Sequence, residues 1–135
     1  MNITTKGRYA LRIMIDLGQQ KEGTPVSLKA ISERQGISMK YLEAIANLLV
    51  KAGYIASSRG KNGGYRLTRK PEEYSIGELL RVTEGSLAPV ACLESGCPNS
   101  AGCITLPLWE GLDRRIDEYL NKVNLGDILN GTVPK

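Results

Sequence analysis

All three cysteines of this 135-residue chain lie in one short segment, "CLESGCPNSAGC". Four residues separate Cys92 from Cys97, and five separate Cys97 from Cys103. Thiolates are soft ligands, and cysteines a few residues apart suit zinc or an iron–sulfur centre. An odd number of cysteines cannot all pair within one chain, and disulfides are rare in the cytosol. The spacing therefore predicts a metal site or a redox sensor rather than a structural disulfide.

The number of available ligands narrows the choice of metal. The chain contains no histidine, and a structural zinc site normally takes four protein ligands. A sensor tolerates a weak fourth ligand better, since ligand type and exposure tune the lability of a cluster. Glu94, a residue of a partner subunit or a small exogenous ligand each stay open as that ligand, although an exposed surface position explains Glu94 more simply. One alternative is a redox sensor made of three free thiols. A set of three cysteines without any role is the alternative that we rank last.

Charge divides the chain into two unlike halves. Residues 1–70 carry 13 Lys and Arg against 4 Asp and Glu, and residues 71–135 carry 5 against 10. A basic half indicates contact with a polyanion such as DNA. Since no signal-peptide or membrane-span pattern occurs, we expect a cytoplasmic protein without a membrane partner. The sequence has no phosphate loop, no nucleotide fingerprint and no histidine base. We therefore expect that the protein is not an enzyme and has no small-molecule substrate.

Helical periodicity predicts a helix-turn-helix in the basic half. Apolar residues recur from about Lys6 to Leu17 in a first helix, and "LKAISERQ" forms a second. A third carries Leu42 and Leu49 on its inner face. The start and stop signals of the second and third helices are Ser27, Gly36, Ser38 and Gly53. Two short helices joined through a glycine turn are typical of this motif.

A hairpin and two further helices complete the predicted fold. "YIASSRGKNGGYRLT" contains two β-prone runs around a glycine-rich tip, which is typical of a wing. Ser75 and Glu78 suggest a capping box before the next helix. The last helix starts near Thr105, and its positions 109, 112, 116, 119 and 123 are spaced like a coiled-coil seam, so we expect it to pack on a partner subunit. The predicted class is mainly α with a small β-hairpin wing, divided into 1–75 for DNA binding, 76–104 for the cysteine loop and 105–135 for dimerisation.

The third helix and the wing are the predicted DNA-binding elements. In a helix-turn-helix the second helix of the motif lies in the major groove, where Lys40 can donate to guanine and Glu43 can accept from cytosine. An ordinary solvated helix face would explain these residues equally well if they stood alone. The narrow tip favours DNA, because it carries Arg59 and Lys61 and can enter a minor groove. Additional positive charge comes from Lys6, Arg8, Arg12, Arg66 and Arg69.

With these residues in hand, the sequence resembles the IscR-type regulators, a family of bacterial winged-helix transcription regulators that also includes NsrR and CymR. The matching motifs run in order: "TTKGRYAL", "ISERQGIS", "YLE", "RGKNGGY", the three-cysteine loop, "LW" and "NLGDI". The resemblance implies a homodimer with crossing C-terminal helices that binds double-stranded promoter DNA and controls iron–sulfur cluster biogenesis genes. The predicted DNA-binding residues are Lys6, Ser38, Lys40, Tyr41, Glu43, Arg59, Gly60 and Lys61.

The resemblance also implies a 2Fe-2S cluster on Cys92, Cys97 and Cys103, which aerobic preparation can remove. Family members of the IscR kind usually have one more residue between the first two cysteines and a histidine where this chain has Leu106. NsrR-type proteins use an aspartate of the partner's first helix where this chain has Arg8. The fourth ligand is therefore not identified. A metal-free thiol-sensing repressor is the alternative within regulation, and an iron–sulfur carrier or electron-transfer protein is the alternative of another class.

Overall fold

A computed structural model of the chain describes residues 3–96 and 100–135, without the side chains of Ser95 and Ser100. In these residues the helices are α1 (Thr5–Gly18), α2 (Leu28–Gln35), α3 (Met39–Lys51), α4 (Ile76–Glu84), α5 (Cys92–Ser95), α6 (Leu106–Lys122) and α7 (Leu125–Asn130). Strands β1 (Ile55–Ser58) and β2 (Gly64–Leu67) form the hairpin, and short 3₁₀ turns cover Pro71–Glu73 and Ser100–Gly102. The predicted class, mainly α with a β-hairpin wing, is confirmed.

The helix-turn-helix forms where its cap residues predict it. The hydroxyl of Ser27 accepts the Ala30 amide at 3.1 Å, and Gly36 ends α2 in the left-handed conformation with φ of 67°. The hydroxyl of Ser38 then accepts the Tyr41 amide at 3.4 Å and starts α3. Each cap satisfies a backbone donor that the first turn of a helix leaves free.

The wing is a tight antiparallel hairpin in which Ile55 pairs with Leu67 and Ser58 with Gly64. A Cβ atom on Gly63 would lie 2.2 Å from the Ser58 carbonyl oxygen, so a larger residue would open the tip. Close backbone contact of this kind is a common reason for glycine in a β-hairpin. The glycines therefore keep the tip as narrow as the sequence predicts.

Tyr74 joins the base of the wing to the core. Its hydroxyl donates to the Tyr54 carbonyl oxygen at 2.8 Å and accepts the backbone amides of Thr68 and Arg69 at 2.9 and 3.0 Å. The guanidinium carbon of Arg69 lies 5.0 Å from the Tyr54 ring centre and 5.2 Å from that of Tyr74, an arrangement that favours a cation. Burial, followed by the nearby Glu78 carboxylate, raises the pKa of Tyr54 to about 12. Arg69, which the sequence analysis counts as additional positive charge, therefore lies against these two rings at the base of the wing.

The same arginine explains why the predicted capping box of α4 is only half formed. The Glu78 amide donates to the Ser75 hydroxyl at 3.2 Å, as expected for the N-cap. The Glu78 carboxylate lies 3.4 Å from Arg69 and not on the cap backbone. The Glu78 side chain therefore faces Arg69 instead of completing the box.

The core lies between α1, α3 and α4, and the chain end closes it. Among its most buried residues are Ala10, Ile13, Met14, Leu42, Leu49, Leu79 and Leu125. A backbone bridge pairs Ser75 with Asn124, and the Ile76 amide donates to the Val123 carbonyl oxygen at 2.9 Å. The bridge joins the first and third segments of the predicted three-part division, and the division itself stays a prediction.

Asp16 is a carboxylate buried on the core side of α1. Its side chain is 1 % exposed and accepts hydrogen bonds from Arg34 at 2.7 and 3.0 Å and from Gln35 at 3.0 Å. Burial alone would raise the pKa of Asp16, but these hydrogen bonds and the charge of Arg34 together lower it. The pair fixes the second half of α1 against the end of α2, where the turn of the helix-turn-helix begins.

We expect Asp16→Asn to lower the free energy of unfolding at neutral pH by about 2 kcal/mol. The reason is that the NH₂ group of asparagine would face the N–H donors of Arg34 and Gln35, which now bind the carboxylate. The pKa of Asp16 is lower in the folded chain, so this contribution is complete above its ordinary value of 3.8 and disappears as the pH falls through the folded value. Urea unfolding of both proteins at neutral and acidic pH measures the difference. Asp113→Asn on α6 is the matched control. A difference that does not change with pH would contradict this assignment.

Candidate nucleic-acid interface and cysteine loop

The outer face of α3 is fully available to a ligand. The side chains that point away from its buried residues are all exposed, and they include each predicted contact of this helix: Ser38, Lys40, Tyr41 and Glu43. Ala44, Asn47 and Lys51 continue the exposed face. Within residues 3–96 and 100–135, neither Lys40 nor Glu43 enters an ion pair. Their donor and acceptor groups are therefore free to meet base edges or phosphates.

The tip of the wing carries its charges without partners of opposite sign. Arg59, Gly60 and Lys61 are exposed, and no carboxylate of the described chain pairs with either cation. Gly60 has φ of 109°, a conformation that residues with a side chain rarely adopt. The amide of Gly63 donates to the Gly60 carbonyl oxygen at 3.0 Å and closes the turn. The two cations thus project from a tightly turned loop.

The amino end of α1 is held by a carboxylate from a distant part of the chain. The Glu84 side chain accepts the Thr4 amide at 3.2 Å, the Thr4 hydroxyl at 2.8 Å and the Gly7 amide at 3.0 Å. A negative charge is favourable at this end of a helix. A Cβ atom on Gly7 would lie 2.4 Å from the Glu84 carboxylate, which explains the glycine. Lys6, a predicted DNA contact, is exposed beside this cap.

An aromatic contact joins α1 to the start of α3. The rings of Tyr9 and Tyr41 meet edge to face with centres 5.6 Å apart. Arg12 lies over Tyr9 at 5.7 Å and donates to the side chain and the carbonyl oxygen of Gln35. The sequence prediction counted Arg12 only as positive charge and did not include Tyr9 or Glu84. Tyr9 follows Lys6 by about one helical turn, and this spacing could have placed Tyr9 on the same side of α1 as a predicted DNA contact.

The cysteine loop joins α4 to α6. Cys92 starts α5, Cys103 precedes α6, and both are partly exposed; the predicted ligand Cys97 lies outside the described residues. The Cys103 sulfur is 3.1 Å from the Thr105 hydroxyl. Hydrogen bonds from the hydroxyl and the backbone of Thr105 lower the pKa of the Cys103 thiol. A lowered pKa favours the thiolate, which is the form that binds metals and reacts with oxidants.

The donor set fits an iron–sulfur cluster in kind but not in number. Within residues 3–96 and 100–135, no group of three His, Cys, Asp or Glu side chains is placed to hold a metal ion. A cluster here would therefore depend on Cys97 together with Cys92 and Cys103, whose soft thiolates suit iron. Glu94 is exposed on α5.

Helix α6 carries an apolar stripe that the described chain does not cover. None of its residues is fully buried, and Leu108, Leu112 and Tyr119 are 63 %, 42 % and 41 % exposed. The predicted seam is partly wrong, because Val123 is 4 % exposed within the core of its own chain and Ile116 packs against that core. Because another side of α6 packs against α4, the apolar stripe that stays uncovered consists of Leu108, Leu112 and Tyr119.

In the described part of the chain, no helix is both long and apolar enough to cross a membrane.

The helix-turn-helix, the narrow wing and the exposed cations together define a winged-helix protein of the DNA-binding class. A comparison with protein families agrees: residues 3–131 match the Rrf2 family, described as "Iron-dependent Transcriptional regulator". The chain belongs to the Rrf2 family. Since the relatives are transcriptional regulators, the expectation that the chain is not an enzyme is confirmed.

Individual relatives place the chain beside two kinds of regulator. The HTH-type transcriptional regulator IscR of Aliivibrio salmonicida is 42 % identical over 96 % of this chain and 77 % of its own length. The structure of T. potens IscR is 39 % identical, covers 97 % of this chain and 88 % of its own, and has a TM-score of 0.79. The structure of CymR, the global cysteine regulator of B. subtilis, is 36 % identical, covers 98 % of both chains and has a TM-score of 0.81. The resemblance to IscR-type regulators is confirmed.

We expect Arg59→Gln and Lys61→Gln each to weaken DNA binding similarly on all sequences and to reduce the salt dependence of log Kd by about 1. Each substitution would remove one expected phosphate contact and the counterion that this contact would release. Fluorescence anisotropy with one duplex at several salt concentrations measures the slope. Lys122→Gln at the end of α6 is the matched charge control. An equal slope in the control and the wing variants would remove the wing from the interface.

Proposed function

We propose that this protein is a transcription regulator that senses iron–sulfur status. In this proposal it is a cytoplasmic homodimer that binds promoter DNA through Lys6, α3 and the wing, and it controls genes of iron–sulfur cluster biogenesis. Cys92, Cys97 and Cys103 would hold a 2Fe-2S cluster. When bound, such a cluster would supply an iron centre whose assembly and loss respond to iron and oxidants.

The observation that carries the proposal is the contact between Glu84 and the start of α1. Glu84 is the last residue of α4, and the loop that leads to Cys92 follows it directly. Its carboxylate accepts hydrogen bonds from Thr4 and Gly7, on either side of Lys6. A ligand changes DNA binding only if it favours one arrangement of the protein over another. When the cysteine loop becomes ordered, it can therefore shift the Glu84 carboxylate and with it the start of α1 on the DNA-binding surface.

The exposed stripe of α6 supports a dimer. Leu108, Leu112 and Tyr119 recur at helical spacing on one side of a helix that packs against α4 on another. Large apolar residues in such a row gain free energy when a second helix covers them. A second copy of the chain offers the same stripe, which is the self-complementary surface that a two-fold dimer requires.

We expect Leu112→Lys to raise the dissociation constant of the dimer at least about tenfold, because a buried leucine is replaced by a charge in both copies. Sedimentation velocity over a range of concentrations measures the change. Glu110→Lys places the same residue on the opposite side of α6 and is the matched control. A monomeric wild-type protein, or equal dissociation constants for the two variants, would contradict the dimer surface.

A metal-free thiol-sensing repressor is the second candidate. It is favoured by the hydrogen bonds that promote the thiolate of Cys103. The structural similarity to CymR also favours it, and one of the similar structures is an oxidized form of CymR from Staphylococcus aureus. In this candidate Cys103 reacts with an oxidant while no iron is bound.

Anaerobic purification tests the two candidates. We expect wild-type protein to contain about two iron and two sulfide per chain, and we expect Cys92→Ser and Cys103→Ser to lose both. Loaded and cluster-free protein should differ in affinity for promoter DNA, and Glu84→Gln should reduce this difference because a neutral amide holds the two helix amides less strongly.

Arg59→Gln is the control in the same experiment, because it should bind DNA more weakly but retain its iron. Protein that contains neither iron nor sulfide when both are supplied would exclude the cluster. If oxidant then altered DNA binding in wild type but not in Cys103→Ser, the thiol sensor would replace it.

A further inference from the structure

Tyr41 is a large aromatic residue on the surface that faces DNA in the proposed complex. It lies in the first turn of α3, where a recognition helix contacts base edges. Its side chain is 49 % exposed. A contact with a phosphate would use only the hydroxyl of Tyr41 and not its ring. The ring gains free energy when an apolar group covers it.

Tyr41 is also held in place. Its ring meets Tyr9 edge to face at 5.6 Å, with an angle of 78° between the two planes. Tyr9 is in turn covered by the guanidinium group of Arg12 at 5.7 Å. Arg12 donates from Nε to the Gln35 side-chain oxygen at 3.1 Å and from a second nitrogen to the Gln35 carbonyl oxygen. The contacts therefore run from the end of α2 across α1 to the start of α3.

The chain of contacts through Tyr9, Arg12 and Gln35, here called the brace, limits the positions that the Tyr41 ring can adopt. An exposed tyrosine normally exchanges between rotamers, and ordering it on binding costs free energy. Arg12 uses its planar group for stacking and for two hydrogen bonds, which leaves it poorly placed for a phosphate. Ala44, one turn after Tyr41 on the same side of α3, is small and exposed, so it does not keep DNA away from the ring.

We propose that Tyr41 reads a thymine methyl group in the major groove, and that Tyr9, held by Arg12, is the residue that positions it. Thymine is the only base that presents a methyl group there, and apolar side chains recognise it by contact. Lys40 and Glu43 on the neighbouring stripe carry the polar groups that suit guanine and cytosine. The inference rests on the proposed DNA binding and adds the base feature that the start of α3 recognises.

Deoxyuridine differs from thymidine only by this methyl group, so it gives the sharpest test. Full-length protein first selects its preferred site from random-sequence duplexes. Affinity is then measured for that duplex and for copies in which one thymidine at a time is replaced by deoxyuridine. At one position in each half-site, the replacement should weaken wild-type binding about fourfold, as expected for one buried methyl group. Tyr41→Ala should bind both duplexes equally.

Variants of the brace test the positioning role. Tyr9→Leu should lose most of the discrimination between the two duplexes, while Tyr9→Phe, which keeps the ring, should retain it. Thermal unfolding followed by circular dichroism shows whether Tyr9→Leu is folded. Arg12→Lys keeps the charge and loses the planar group, so it should discriminate less than wild type with an unchanged salt dependence. This second variant decides the question if Tyr9→Leu does not fold.

Each failure has its own meaning. If wild-type protein selects no sequence, the proposed DNA-binding function fails. If it selects a site but no deoxyuridine replacement distinguishes it from Tyr41→Ala, the methyl contact is excluded and DNA binding stands. If folded Tyr9→Leu discriminates as well as wild type, or if Arg12→Lys changes only the salt dependence, Tyr9 does not position Tyr41.

Discussion

The buried pairing of Asp16 with Arg34 and Gln35 is the constraint on which the rest of the structure depends. A carboxylate in the core is tolerated only with strong partners, and these partners are the last two residues of α2. The pairing therefore fixes the point at which the chain turns toward α3. Because Arg12 binds Gln35 from the same helix as Asp16, α1 holds the end of α2 at two places.

Helix α1 is in this way the frame of the DNA-binding surface. Its core side carries Asp16, and a more exposed side carries Tyr9, which contacts the start of α3. Its amino end is capped by Glu84 from the end of α4. The recognition helix and the segment that leads into the cysteine loop are thus attached to one rigid element. In the proposed function, this shared attachment gives a physical basis for coupling between the cysteine loop and DNA binding.

The two proposed functions differ in the role of the thiols, and they share the proposed path from the cysteine loop to the DNA-binding surface. A cluster needs Cys97 together with Cys92, Cys103 and a fourth ligand, whereas a thiol switch needs only a reactive thiolate such as Cys103. Both would act on the loop between α4 and α6, and both would use the same dimer helix. Similarity to IscR and to CymR is compatible with this common architecture.

The amino-acid sequence by itself determined the features that depend on neighbours along the chain. Caps such as Ser27 and Ser38, the glycine that ends α2, and the tight tip of the wing follow from residues three or four positions apart, so local patterns predict them. The exposed face of α3 follows from helical periodicity in the same way. Cysteine spacing predicts the kind of chemistry, although it does not identify the fourth ligand.

Only the tertiary structure decided which partners the long polar side chains take. Glu84 meets Gly7 across 77 positions of the chain, and Arg81 meets Asn121 across 40. Arg69 binds two aromatic rings and Glu78, and Val123 joins the core of its own chain. Periodicity gives the side of a helix on which a residue lies, but it does not show which element will cover that side. Those pairings are set when the helices pack, because packing alone brings distant charges and rings within reach.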